Sequence, residues 1–283
     1  MTFSTLSGVM SSALPQILAR SRNGKIHSLF NQSFNIGFEE DLVHVGRAGG
    51  QLSSFGMILS STEMDAILPN LTAGDLVKVQ STALIIYPTY GPVIQIDTAR
   101  LRMVDLSLRP VMLTPQRLVL IREALGQVEY ESQLGLALGP QDWQHLNALV
   151  REDNRSEAFQ QAARYLVGRG KGLTPSGDDI LLGFFLVLKL FGQDAGLTQA
   201  LLDFAAQSTT AVSAAYLKNL VNGSVSEYFQ AFCQAVALEY PNGLRSAIEK
   251  IKTIGSTSGF DSLLGMSLGI RKLEGGSQAL LCN

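Results

Sequence analysis

The sequence predicts an α+β protein, with a β-rich sheet or barrel over residues 1–112 followed by an α-helical domain over 113–283. Three observations point to this: a change of texture near Pro110, short β-branched segments before it, and a repeated helix start after it. In the first half, Leu42-Val43-His44-Val45, Phe55-Gly56-Met57-Ile58-Leu59, Ala83-Leu84-Ile85-Ile86-Tyr87 and Pro92-Val93-Ile94-Gln95-Ile96 are punctuated by Gly49-Gly50, Pro88 and Gly91. This is the strand-and-turn signature, and an antiparallel arrangement is expected, with one short helix at 61–68.

The second half begins at Thr114-Pro115, where threonine can cap and proline fits the first helical position. Helical spacing then predicts segments at about 140–151, 154–168, 176–191, 195–221, 225–238 and 259–273, with a break around Pro241. Ile180 to Leu188 is apolar throughout. It is far shorter than the roughly 20 residues that span a bilayer, so it reads as a buried helix.

Composition bounds the function. With 283 residues, 46% hydrophobic and 16% charged, the chain can bury a large core. A net charge of -2 and the lack of a basic run give no general attraction for nucleic acid or an anionic membrane, so neither is expected as a partner. Two cysteines, Cys233 and Cys282, make neither a disulfide framework nor a thiolate zinc site, and a cytoplasmic location is expected.

The chemistry-bearing feature is the repeat. Ser176-Gly177-Asp178-Asp179-Ile180-Leu181-Leu182-Gly183 aligns with Ser258-Gly259-Phe260-Asp261-Ser262-Leu263-Leu264-Gly265 at six of eight positions. In the simpler reading, each copy is a capping box in which the serine accepts from the N–H three residues on and the acid reaches back. The helix dipole would add about 0.3–1 kcal/mol for each acid. The functional reading rests on surplus: Thr174, a second carboxylate and a glycine-rich loop in the first copy, Ser256 and Thr257 in the second.

In that reading Ser176, Thr174, Ser256, Thr257, Ser258 and the N–H groups of Gly172, Gly177 and Gly259 would hold a small anion, with Lys171 and Arg169 as local cations. Asp178, Asp179 and Asp261 would orient an amide, act as base, or hold a hard ion such as Mg²⁺. The run Thr209-Thr210-Ala211-Val212-Ser213-Ala214-Ala215-Tyr216 offers hydroxyls at 209, 210, 213 and 216 as a third wall. Gly46-Arg47-Ala48-Gly49-Gly50 with Ser53-Ser54 is either a ligand-facing loop or, more simply, a hairpin turn. Gly-Arg-Gly-Lys-Gly at 168–172 has the wrong spacing for a P-loop, His27, His44 and His145 are scattered, and no Gly-x-Ser-x-Gly elbow occurs. No metal centre or cofactor is therefore expected, beyond the open alternative of Mg²⁺.

Three blocks together, Gly170 to Asp179, Thr209 to Leu217 and Ser256 to Gly265, resemble the signature blocks of the family that includes the H subunit of bacterial oxamate carbamoyltransferase. The resemblance covers about 165–275 in order and spacing. It implies a cytoplasmic subunit working with two others, one similar to acyl-CoA synthetases. It also implies transfer of a carbamoyl group between carbamoyl phosphate and oxamate, both small anions. No residue role follows from it. Alternatives from the residues alone are a Mg²⁺-dependent hydrolase and a non-catalytic binding or scaffold subunit.

Overall fold

A computed structural model describes residues 8–130 and 132–275, so Cys282 lies outside the described residues. The chain divides into two compact units, one running to Ser107 and including Ser224–Glu227, the other comprising Leu108–Gly223 and the chain from Tyr228 on.

The first unit is a nine-stranded sheet: β1 (Val9–Ser11), β2 (Asn23–Leu29), β3 (Ser33–Gly37), β4 (Leu42–Arg47), β5 (Gly56–Leu59), β6 (Leu76–Gln80), β7 (Ala83–Tyr87), β8 (Ile94–Asp97) and β9 (Arg102–Val104), in the order β8-β7-β6-β2-β3-β4-β5-β1-β9. Most pairs are antiparallel, but β4 pairs with β5 and β1 with β9 in parallel. The glycines at 49 and 50 therefore do not turn a hairpin: residues 48–55 carry the chain back to start a parallel strand, with Gly49 at φ 94°. Arg47 is engaged by Asp65 at 2.5 Å, so this loop offers no free cation.

Two helices accompany the sheet, α1 (Leu14–Arg20) and α2 (Ser61–Ile67), and α2 opens with a complete capping box between Ser60 and Glu63. Alternation along β3 and β4 buries Phe34, Ile36, Val43 and Val45, each 0% exposed.

The second unit is helical. Its helices are α3 (Pro115–Leu125), α4 (Pro140–Arg151), α5 (Glu157–Leu166), α6 (Ser176–Leu190), α7 (Leu197–Ala205), α8 (Ala211–Val221), α9 (Glu227–Ala237, begun by the last residue of the first unit), α10 (Pro241–Lys252) and α11 (Ser258–Leu273). Thr114 caps α3, as its sequence predicts. The helix expected over 195–221 is two, because Gln207 to Thr209 interrupt it and Thr210 opens a new one by accepting from Ser213 N. Pro241 starts a helix that the sequence reading takes only as a break, proline being tolerated where the first-turn N–H has no helical partner.

At the centre lie α6 and α11. Every residue of α6 but Lys189 is buried, as the apolar run predicts. The two axes approach closely at paired glycines: a methyl on Gly183 would fall on the Ser262 carbonyl, and one on Gly265 on the Ile180 carbonyl. Since 180 corresponds to 262 and 183 to 265 in the repeat, the crossing is locally two-fold.

The repeat extends further than its sequence shows. Leu166 ends α5 and its carbonyl meets Gly177, while Ile251 near the end of α10 presents its carbonyl to Gly259 in the same way. Arg169 N donates to Leu166 O and Gly177 N to Arg169 O; Ile254 N donates to Ile251 O and Gly259 N to Ile254 O. The repeating unit is a helix, a tight return and a second helix. The first copy has six residues, 170–175, where the second has three, 255–257.

Candidate functional site

The crossing helices bring their first turns together. The capping boxes expected there do not form, for Pro175 and Thr257 occupy the N-cap positions and neither makes a side-chain cap. Ser176 and Ser258 are the first helical residues, one step inside the cap. Each hydroxyl instead lies near the aspartate of the other copy: Ser258 beside Asp179, and Ser176 beside Asp261.

Two of the three expected backbone donors are also engaged, Gly172 lying exposed on the return. Gly177 N and Gly259 N donate to Arg169 O and Ile254 O, and Asp178 N and Asp179 N both donate to Pro175 O. The two glycines are there because a Cβ would overlap a preceding helix's carbonyl, not to bare an N–H for an anion. An anion held by helix N-termini therefore does not describe this cluster. It offers acceptors and hydroxyls.

Three buried carboxylates differ in what they meet. Asp178, 2% exposed, accepts from Gly168 N at 2.8 Å and from the Thr209 hydroxyl, and Ser213 is close by. Burial raises its pKa, and these hydrogen bonds pull partly against that. Asp179, 6% exposed, has Oδ2 buried without a hydrogen-bond partner. Burial pushes its pKa well up, the charges of Asp261 and Asp178 add to that, and the Ser258 and Thr174 hydroxyls only partly offset it. Asp261, 0% exposed, accepts from Gly135 N at 3.1 Å through Oδ1, while its Oδ2 is also without a partner. Burial raises its pKa against Ser176, Gly135 and Thr257.

Gly135 is the member that sequence reasoning misses. A Cβ there would lie 2.6 Å from Thr257 Oγ1 and 3.1 Å from Asp261 Oδ2, and would overlap Ser176 Oγ, so only a bare backbone reaches the carboxylate. Its signal in the sequence is nil, since it lies 126 residues from its partner and brings no side chain.

The other expected residues divide. Thr174 Oγ1 lies 2.9 Å from Ser258 Oγ and joins the two copies. Thr209 precedes α8 rather than lying on its face, and its hydroxyl is spent on Asp178; Thr210 caps α8 and donates to Leu173 O. These threonines brace the site. Ser213 Oγ is buried with no hydrogen-bond partner of its own. Tyr216, also on α8, has its hydroxyl pKa lifted to about 12 by burial and by the Asp179 charge, so it stays a donor.

Ser256, Lys171 and Gly172 are exposed on the two returns, Gly172 at φ 91°. Arg169 is not at the cluster: it pairs with Asp142 at 2.7 Å and stacks over Tyr165. Burial drives the Cys233 thiol to about 12, which removes it as a nucleophile. Among the described residues no group of three or more His, Cys, Asp or Glu side chains is placed to hold a metal ion. Nor, among the described residues, is any helix long and apolar enough to cross a membrane.

The arrangement can bind N–H donors through two buried carboxylate oxygens, and desolvation raises the pKa of both acids, which favours proton exchange with such a donor. No solved structure matches the chain. Residues 166–270 match the model of the oxamate carbamoyltransferase subunit AllH, and residues 4–103 match the N-terminal domain of the AllH family. The first match holds α6, α8 and α11 with their aspartates, the second most of the nine-stranded sheet, and the chain belongs to the AllH family of oxamate carbamoyltransferase subunits.

Proposed function

We propose that this chain is a cytoplasmic subunit of an oxamate carbamoyltransferase-like enzyme and that the Asp179–Asp261 cluster is its reacting centre. The reaction moves a carbamoyl group between carbamoyl phosphate and a small carboxylate such as oxamate. Two further subunits, one of them acyl-CoA-synthetase-like, belong to the same reading.

One observation carries it: Oδ2 of Asp179 and Oδ2 of Asp261 are both buried and without hydrogen-bond partners. A buried carboxylate oxygen left unpaired costs about 1–3 kcal/mol or more, and natural proteins rarely keep such a pair without a use. The matching donor is an amide NH₂, which carbamoyl phosphate and oxamate both carry. In the transfer, the oxamate amide nitrogen attacks the carbamoyl carbon. A C–N bond forms, the C–O bond to phosphate breaks, and the proton lost from nitrogen passes through a carboxylate to the departing phosphate. Asp179, whose pKa burial raises well above the ordinary carboxylate value, suits that shuttle. The Ser258 hydroxyl lies beside it, and Tyr216 is near enough to feel its charge. No step needs a metal or redox cofactor.

The test is oxalurate formation by the chain reconstituted with its partner subunits. Asp179→Asn keeps the shape and removes the base, and the rate should fall on the order of 10²–10⁴-fold. Full activity in that variant would exclude Asp179 as the base, and activity that survives without this chain would make it a scaffold.

A further inference from the structure

The cluster is doubled, not merely paired. Asp179, Ser258 and Thr174 form one set, Asp261, Ser176 and Thr257 another, and each takes its acid from one copy of the repeat and its serine from the other. The glycine contacts at 183 and 265 repeat the same two-fold relation along the crossing. In each set one carboxylate oxygen is buried without a partner.

Resting on the function proposed above, we infer that these are two half-sites, each built for one molecule of the form H₂N–CO–X⁻, and that both substrates bind side by side across the local two-fold. Carbamoyl phosphate and oxamate share that form and differ in the anionic arm. A duplicated cradle for the common end is the economical way to bring two such molecules into contact.

The departures from two-fold symmetry assign them. The first copy's return is longer by three residues, carries Lys171, and bends at Gly170 (φ 124°) and Gly172 (φ 91°). It supplies an exposed cation and backbone suited to a phosphate, and its Thr174 reaches the Asp179 half-site through Ser258. The Asp261 half-site has no such loop: the return of three residues is short, and Gly135 N already holds one carboxylate oxygen. It takes the smaller carboxylate-bearing amide. Facing each other, the two amide ends place the nucleophilic nitrogen of the amide held at Asp261 against the carbonyl carbon held at Asp179, so that Asp179 takes the proton across the two-fold and passes it to the phosphate departing on its own side.

The experiment is calorimetric titration of the full complex with oxamate and, separately, with phosphonoacetamide, a stable H₂N–CO–X⁻ molecule with a phosphonate arm. Asp179→Asn and Ser258→Ala should each weaken phosphonoacetamide at least tenfold and leave oxamate within threefold. Asp261→Asn and Ser176→Ala should do the reverse, and Lys171→Gln should weaken phosphonoacetamide alone. The crossed tracking of Ser258 with Asp179, from opposite copies, is what a single site would not give. The serine variants guard against a carboxylate change that disturbs folding. If all four variants weaken both ligands alike, the cluster is one site and the inference fails while the proposed function stands. If the unmodified complex binds neither ligand, both fall.

Discussion

Asp75 in the sheet unit and Asp179 in the helical unit expose little surface, 3% and 6%, but Asp179 lies far deeper in the protein, and their pKa values move in opposite directions. Asp75 accepts from Thr72 N at 2.7 Å, Thr89 N at 2.8 Å and the Thr89 hydroxyl at 2.7 Å. Burial raises its pKa, but the three hydrogen bonds outweigh that and hold it below the ordinary carboxylate value. Asp179 has only the Ser258 and Thr174 hydroxyls against its deep burial and the charges of Asp261 and Asp178, and its pKa is driven well up. Three donors fix a turn at Asp75; at Asp179 one carboxylate oxygen is buried without a partner. A saturated buried carboxylate is accounted for by the fold, and an unsaturated one is a candidate for a ligand.

The contrast breaks first on activity. Asp179→Asn should lower carbamoyl transfer by the 10²–10⁴-fold expected of a lost general base while leaving the midpoint of thermal unfolding at pH 7 no lower than before. A large fall in that midpoint would mean that Asp179 is structural like Asp75. The second effect runs the other way. Asp75→Ala strands two backbone N–H groups and a hydroxyl, and should cost about 2–3 kcal/mol in denaturant unfolding, with transfer by the still-folded fraction unchanged.

Smaller effects appear in pH profiles, with the sign set by which state binds more protons. For Asp179 the folded pKa is raised, so the native state binds the extra proton. Stability therefore falls as pH rises from the unfolded value near 3.8 toward the folded one, and Asp179→Asn should flatten that stretch of the curve. His44 in the sheet works oppositely: burial lowers its pKa to about 4, and Nδ1 lies 2.9 Å from Asn35 Oδ1. The native state excludes a proton that the unfolded chain takes up near 6.5, so stability is lost as pH falls between 6.5 and about 4. His44→Gln should remove this loss, read as the unfolding midpoint at pH 5 relative to pH 7. Equal slopes in variant and parent would mean that the ring is solvated.

The sequence displays some of this plainly. Period-2 segments before residue 100 and the repeated Ser-Gly-x-Asp blocks are local patterns, and local patterns survive in one dimension. It conceals the α5 and α10 halves of the repeat, because the longer first return shifts the offset from 85 residues to 82 and only carbonyl positions are shared. It misleads at Ser176 and Ser258. A serine three residues before an acid suits a capping box, yet Pro175 and Thr257 take the cap and turn each hydroxyl toward the opposite helix. At Gly177 and Gly259 it suggests open N–H groups where the structure needs close packing.

By itself the sequence determined the two textures of the chain and the buried character of α6, and it singled out the aspartates and serines of the two repeat copies, since these follow from side-chain type and spacing. Tertiary structure alone decided which acid meets which serine, that Gly135 reaches Asp261 from 126 residues away, and that two carboxylate oxygens end buried without partners. Hydrogen-bond satisfaction is a property of atoms brought together in space. Whether a buried aspartate is a brace or a site is therefore settled only when the second helix arrives.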